Sequence, residues 1–197
     1  MVNIRHGAAA GPAPDAAGLH DAALDYLARY AATEAALRRV LERRIERWSR
    51  RAAEGGDAET IAGQAAAART VAHDIVAHLV AIGAVNDAAY AASRVRSMAR
   101  AGRSRLAAAA HLAARGVDPA TTRAALDEDD SNELAAALVL ARRRRIGPFR
   151  RGTHVDDVGR RRELGVLARA GFPQPVAQQA LAMDTAQAEA LVNGLRR

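Results

Sequence analysis

The side chains in this sequence best suited to chemistry are guanidiniums. Arg39, Arg43, Arg47 and Arg50 recur at spacings of four and three, which on a helix stacks them along one side. A guanidinium presents five donors in a planar fork and meets a carboxylate or a phosphate with two parallel hydrogen bonds. Further groups are Arg94, Arg96 and Arg100, and the run Arg142, Arg143, Arg144 and Arg145. All 29 basic residues are arginine, against 22 acidic ones, so the formal charge is +7 and the sequence pI is near 11.1. Such a chain favours an anionic partner, either nucleic acid or an acidic protein surface. For any single arginine on the outer side of a helix, an ordinary solvated position is the competing explanation.

Other chemistries are excluded by missing residues. Without lysine there is no P-loop and no Schiff-base nucleophile. Without cysteine there are no disulfides, thiolate zinc sites or thiol nucleophiles. Of the six histidines, His73 and His78 are five apart and point about 140° from one another on a helix. No carboxylate completes a ligand set around them. Asp74 and His78, four apart, share one helix face, where a pair would stabilise the helix slightly rather than serve catalysis. No nucleophile elbow or glycine-rich phosphate loop occurs. The chain is therefore expected to be no enzyme and to hold neither metal nor cofactor. The acidic run "DEDDSNE", Asp127 to Glu133, reads as a solvated junction that caps the next helix and complements its dipole. The opening "MVNIRHGAAAGPAPDAAG" has no apolar stretch of signal-peptide length. "LAAALVLA", Leu134 to Ala141, is far short of the ~20 apolar residues of a membrane span. A cytoplasmic protein with no membrane contact is expected.

The elements that must position the arginines are helices. Leu37, Val40, Leu41, Ile45 and Trp48 fall at spacings of three and four and make the buried stripe opposite the first arginine ladder. Tyr90, Ala91, Val95 and Met98 do the same for the helix carrying Arg96 and Arg100, whereas Arg94 sits beside that stripe, where its stem can pack while its head reaches water. Glycine closes helices by adopting the left-handed conformation, which predicts stops at Gly83, Gly102, Gly116 and Gly171. Thr33 is a plausible cap for a helix over about 33–53, with neighbours near 20–32 and 58–82. Asp118 caps a helix with Pro119 at its first position. An internal repeat is visible at an offset of 55: Leu112, Gly116, Val117, Ala125 and Leu126 superpose on Leu167, Gly171, Phe172, Ala180 and Leu181.

The expected fold is all-α: three tandem three-helix repeats stacked into an elongated, curved array, right-handed or irregular. Residues 1–19 form a disordered lead, 20–85 the first repeat with a polar insertion near 54–60, and 86–128 the second. The third spans 129–183 with a loop at 147–157, and 184–197 is a C-terminal helix or tail.

The run "GAVNDAAY", followed by Gly102 and then by "GVD", resembles the second repeat of the RecX regulatory proteins. "ALDYLARYAATEAALRRVL" resembles that family's first repeat through Leu24, Leu27, Thr33, Leu37 and Leu41, and "RRRELGVLARAGFPQPVAQQAL" its last through Arg169, Gly171, Phe172 and Leu181. The resemblance spans about residues 20–183. Ala84 replaces a usual aromatic, Ala36 a usual capping Glu, and "RSR" (Arg103 to Arg105) a Gly-Pro-type turn, so the second inter-helix turn is expected to be built differently.

The resemblance implies a non-enzymatic regulator that binds the RecA recombinase and its nucleoprotein filament as a monomer. Such a protein inhibits recombination and coprotease activity and thereby modulates DNA repair and the SOS response. Candidate contacts to recombinase or DNA are Arg39, Arg43, Arg47, Arg94, Arg96, Arg100, Arg142, Arg143, Arg144 and Arg145. Whether such a protein caps filament ends or lies in the filament groove stays open at this stage. The alternative is a stand-alone basic helical protein that binds nucleic acid through phosphate contacts, independent of base sequence.

Overall fold

The structure is a computed structural model that describes residues 11–128, 133–152 and 156–195. Among these residues it contains ten α-helices, one 3-10 turn and no strand. The chain divides into two compact units, one up to Asp87 and one from Ala88 onward, over which the helical repeats are distributed.

The first unit holds α1 (Ala16–Leu27), α2 (Glu34–Ala52) and α3 (Ala58–Ala81). Each begins on a side chain that satisfies an otherwise orphaned amide. Asp15 accepts from the Gly18 N–H at 2.8 Å, Thr33 from Ala36 at 3.1 Å and Asp57 from Thr60 at 2.7 Å. The Asp15 cap starts α1 at Ala16, inside the stretch 1–19 expected as a disordered lead, and Leu19 is fully buried. Helix α1 stops at Leu27, short of residue 32, and leaves a turn that delivers Thr33 to its cap. Leu19, Leu37, Leu41, Ile45, Val76 and Leu79 form the core, interleaved with Ala65, Ala68 and Ala72, which let α3 lie close to α2. The unit closes where the Asp87 carboxylate accepts the Glu34 N–H at 2.8 Å.

Apart from its first residue, Asp87, helix α4 (Asp87–Arg100) belongs to the second unit, with α5 (Arg105–Arg115), α6 (Pro119–Asp127), α7 (Glu133–Arg144), a 3-10 turn (Gly147–Phe149), α8 (Asp157–Arg169), α9 (Gln174–Ala182) and α10 (Thr185–Gly194). All four predicted glycine stops hold, with φ of 75°, 73°, 82° and 84° at Gly83, Gly102, Gly116 and Gly171. The repeat at an offset of 55 is physical. Val117 N–H donates to Leu112 O at 3.1 Å and Phe172 N–H to Leu167 O at 3.2 Å, the same helix-closing bond twice. Leu112 and Leu167 are each fully buried.

Two cores form, one around Tyr90, Val95, Leu112 and Val117, the other around Leu138, Leu167, Phe172 and Val192. The apolar run Leu134–Val139 is the central helix α7, buried at every residue. Helix α10, in the stretch 184–197 expected as a C-terminal helix or tail, places Ala188 and Val192 in the second of these cores. The acidic run is described only at its ends: Asp127 pairs with Arg105 at 3.2 Å, and Glu133 accepts the Arg105 N–H at 3.2 Å. Its residues 129–132, on which the expected capping of α7 falls, lie outside the described residues.

The α4–α5 turn meets α7 at Gly102. A Cβ built there stands 2.9 Å from Leu140 N and 3.3 Å from Ala136 O, so the α4–α5 turn rests on the backbone of α7. Ser104, in the "RSR" turn, is fully buried. Its hydroxyl accepts from the Ala107 N–H at 3.2 Å and donates to Ala170 O at 2.8 Å. One hydroxyl thus caps α5 and fastens it to the end of α8.

Gly102→Ala is expected to cost about 2–3 kcal/mol, combining left-handed strain with displacement of backbone atoms that cannot yield. Gly83→Ala, at a similar φ but with nothing within 4 Å of the new methyl, should cost about 1 kcal/mol. Urea unfolding followed by circular dichroism compares the two. A second expectation concerns His111, whose Nε2 is buried with no hydrogen-bond partner among the described residues. Burial, then the positive charges of Arg94 and Arg115, hold its imidazole below its ordinary pKa. The unfolded chain therefore takes up this proton first. The His111 contribution to stability is complete above the ordinary value of about 6.5 and is lost as pH falls below it. His111→Leu should flatten that slope in unfolding titrations between pH 7 and 5.

Candidate functional site

In the first unit the spacing of four along α2 places Arg39, Arg43 and Arg47 on an exposed face, opposite buried Leu37, Leu41 and Ile45. Arg47 Nε donates to Arg43 O at 3.1 Å, which lays the side chain along its own helix. Beside this ladder, Arg39, Arg69 and His73 line a shallow groove of about 320 Å³. Carboxylates already temper it: Glu42 accepts from Arg69 at 2.8 Å, and Glu34 pairs with Arg38.

The second unit arranges its arginines differently from their order in the sequence. Arg96 and Arg100 are exposed on α4, with Arg100 Nε 3.4 Å from Arg96 O. Arg94 is separated from them. It is half-buried, and its guanidinium carbon lies 5.6 Å from the centroid of the Tyr90 ring, a cation–π contact that fixes the head on the apolar stripe. In the run at the end of α7, Arg142 is half-buried while Arg143, Arg144 and Arg145 are exposed. Arg145 takes the left-handed position that ends the helix, at φ 55°, where Ile146 N–H donates to Ala141 O at 3.0 Å.

Here the structure assembles a site that spacing alone does not show. Arg103 from the α4–α5 turn, Arg143 and Arg144 from α7, and Arg169 from the last turn of α8 line one open groove of about 960 Å³. Its floor is Gly102, Leu140, Val166 and Ala170, and no carboxylate lines it. Arg143 is held in place by donating to Ala101 O at 2.6 Å, which also neutralises a helix-terminal carbonyl. Arg103 and Arg169 were not among the sequence-level candidates. The sequence does mark the two turns: the tripeptide Arg-Ala-Gly occurs at 100–102, just before Arg103, and again at 169–171, and both turns border this groove.

A second cleft, of about 920 Å³, includes Arg150, Arg160, Leu164 and Gln178 in its lining. Its Arg150 is committed to Glu163 at 2.6 Å, in a pair that is largely buried and that also receives the Gly147 N–H at 3.3 Å. This pair fastens the 3-10 turn to α8. Among the described residues no group of three or more His, Asp or Glu converges as a metal site. Likewise no described helix is long and apolar enough to cross a membrane.

Residues 86–126, the segment from the start of α4 to the end of α6, match the family description "RecX, second three-helix domain". The regulatory protein RecX of Myxococcus xanthus is 39% identical over 166 residues, covering 83% of this chain and 83% of its own length. That of Agrobacterium fabrum is 38% identical over 112 residues, 57% of this chain and 59% of its own. That of Mycobacterium ulcerans is 38% identical over 116 residues, 57% of this chain and 65% of its own. An all-helical frame closed by repeated glycine turns, joined to identity of this depth over most of the chain, places the protein in the RecX family of regulatory proteins.

Proposed function

We propose that this chain is a non-enzymatic regulator of the RecA recombinase. It binds the recombinase and its nucleoprotein filament, lowers recombination and coprotease activity, and so modulates DNA repair and the SOS response in the cytoplasm. The observation that carries this reading is the alignment to a regulatory protein RecX over 83% of the chain. Its physical counterpart is a positive surface charge carried by guanidiniums with no ammonium side chains, since all 29 basic residues are arginine. Arginine suits this role because its fork grips carboxylate and phosphate bidentately and is more weakly hydrated than an ammonium. The ladder Arg39, Arg43 and Arg47, the pair Arg96 and Arg100, and the cluster Arg142 to Arg145 are the proposed contacts, with Arg103 and Arg169 added. Arg94, occupied with Tyr90, serves the second repeat's packing first.

The net charge of +7 supports a second reading, direct binding to nucleic acid through phosphates without recombinase. A salt series separates the two. On the regulator reading, binding to DNA alone disappears at moderate salt, while co-sedimentation with recombinase filaments persists. Equal loss in both cases favours the second reading. Replacing Arg39, Arg43 and Arg47 together by Gln is expected to lower inhibition of recombinase ATP hydrolysis about tenfold in potency with the helical circular-dichroism signal unchanged. Inhibition at the parental level removes that face from the contact.

A further inference from the structure

The groove of Arg103, Arg143, Arg144 and Arg169 has features that a purely electrostatic surface does not need. Its floor, Leu140 and Val166 beside Gly102, is apolar and half-buried. The last turns of α4, α7 and α8, ending at Arg100, Arg144 and Arg169, converge on it. The carbonyls of Ala101 and Ala170 in its lining are already taken, by Arg143 and by Ser104, so the polar groups it offers a partner are guanidiniums. A phosphate strand brings negative charge for the guanidiniums but no flexible aliphatic side chain for the floor. An acidic peptide brings carboxylates for the guanidiniums and an aliphatic side chain for the floor. Arg143 is already oriented by Ala101 O at 2.6 Å, so part of the ordering cost is met before binding. With no carboxylate in the lining, the groove's charge is free of internal compensation along its walls.

We propose that this groove docks an acidic segment of a protein partner, with carboxylates on Arg103, Arg144 and Arg169 and one aliphatic side chain between Leu140 and Val166. The inference rests on the regulator reading above and names the chemistry of the partner it meets at this site. The full chain is titrated with a fluorescent Asp/Glu-rich peptide containing one Leu, with the same peptide carrying Ser for that Leu, and with an oligothymidylate. The Leu peptide is expected to bind about fivefold more tightly than the Ser peptide. Val166→Gln should lower its affinity by a similar factor and leave the oligothymidylate unaffected. Arg144→Gln with Arg169→Gln should lower peptide affinity about tenfold or more. Equal binding of the two peptides, or displacement of the Leu peptide by oligothymidylate with no effect of Val166→Gln, overturns the proposal and assigns the groove to phosphate. Absence of peptide binding overturns it as well. Because the peptide comparison needs no substitution in the protein, a variant that fails to fold does not blunt it. Co-sedimentation of the unsubstituted chain with recombinase filaments reads the regulator proposal separately.

Discussion

The backbone of one glycine lying against the backbone of one helix organises the second unit. Gly102 has no side chain to hold the α4–α5 turn away from α7, and a methyl there stands 2.9 Å from Leu140 N. Close approach brings Ala99 into the core built around Leu138 and Phe172. It sets Ala101 O within reach of Arg143 and Ser104 within reach of Ala170 O. It also carries Arg103 to the rim of the groove that Arg143, Arg144 and Arg169 complete. Remove the contact and four guanidiniums on three elements lose their common reference.

The composition fits this arrangement. Aromatic residues are 3% of the chain, so no repeat has bulky side chains to fill a wide core. Alanine compensates by allowing helices to approach: Ala135, Ala136, Ala137 and Ala141 are all buried on α7, which touches α8, α9 and α10. Small side chains give each helix pair little apolar area, and stability then depends on close contact, on caps such as Thr33, Ser104 and Asp118, and on shared helices. Long arginine stems cover the remaining surface and carry the charge outward.

Much of this was legible in the sequence because it is local. Glycine in the left-handed region, Asp118 before Pro119, and the recurrence at an offset of 55 follow from the chain's own neighbours, and the structure repeats them at Leu112–Val117 and Leu167–Phe172. The arginine ladder on α2 is equally local, a matter of helical period. The features that escaped depend on contacts between distant segments. Ser104 reaches Ala170 across 66 positions, and Arg143 reaches Ala101 across 42. Helix α10 shows no strong stripe, so only its docking on α7 reveals Ala188 and Val192 as core. Arg94 lies three residues from a buried alanine and four from a buried tyrosine, and its choice between water and the Tyr90 ring is settled by packing.

The most direct test is a nuclear Overhauser measurement between the Gly102 α-protons and the amide proton of Leu140 in the full chain. Backbone seated on backbone requires a strong cross-peak there, accompanied by contacts from Ser104 to Ala170. A spectrum in which Gly102 shows only its sequence neighbours, with the Leu140 amide in contact solely with α7 and the core around Leu138 and Phe172, contradicts the seating and with it the assembled groove.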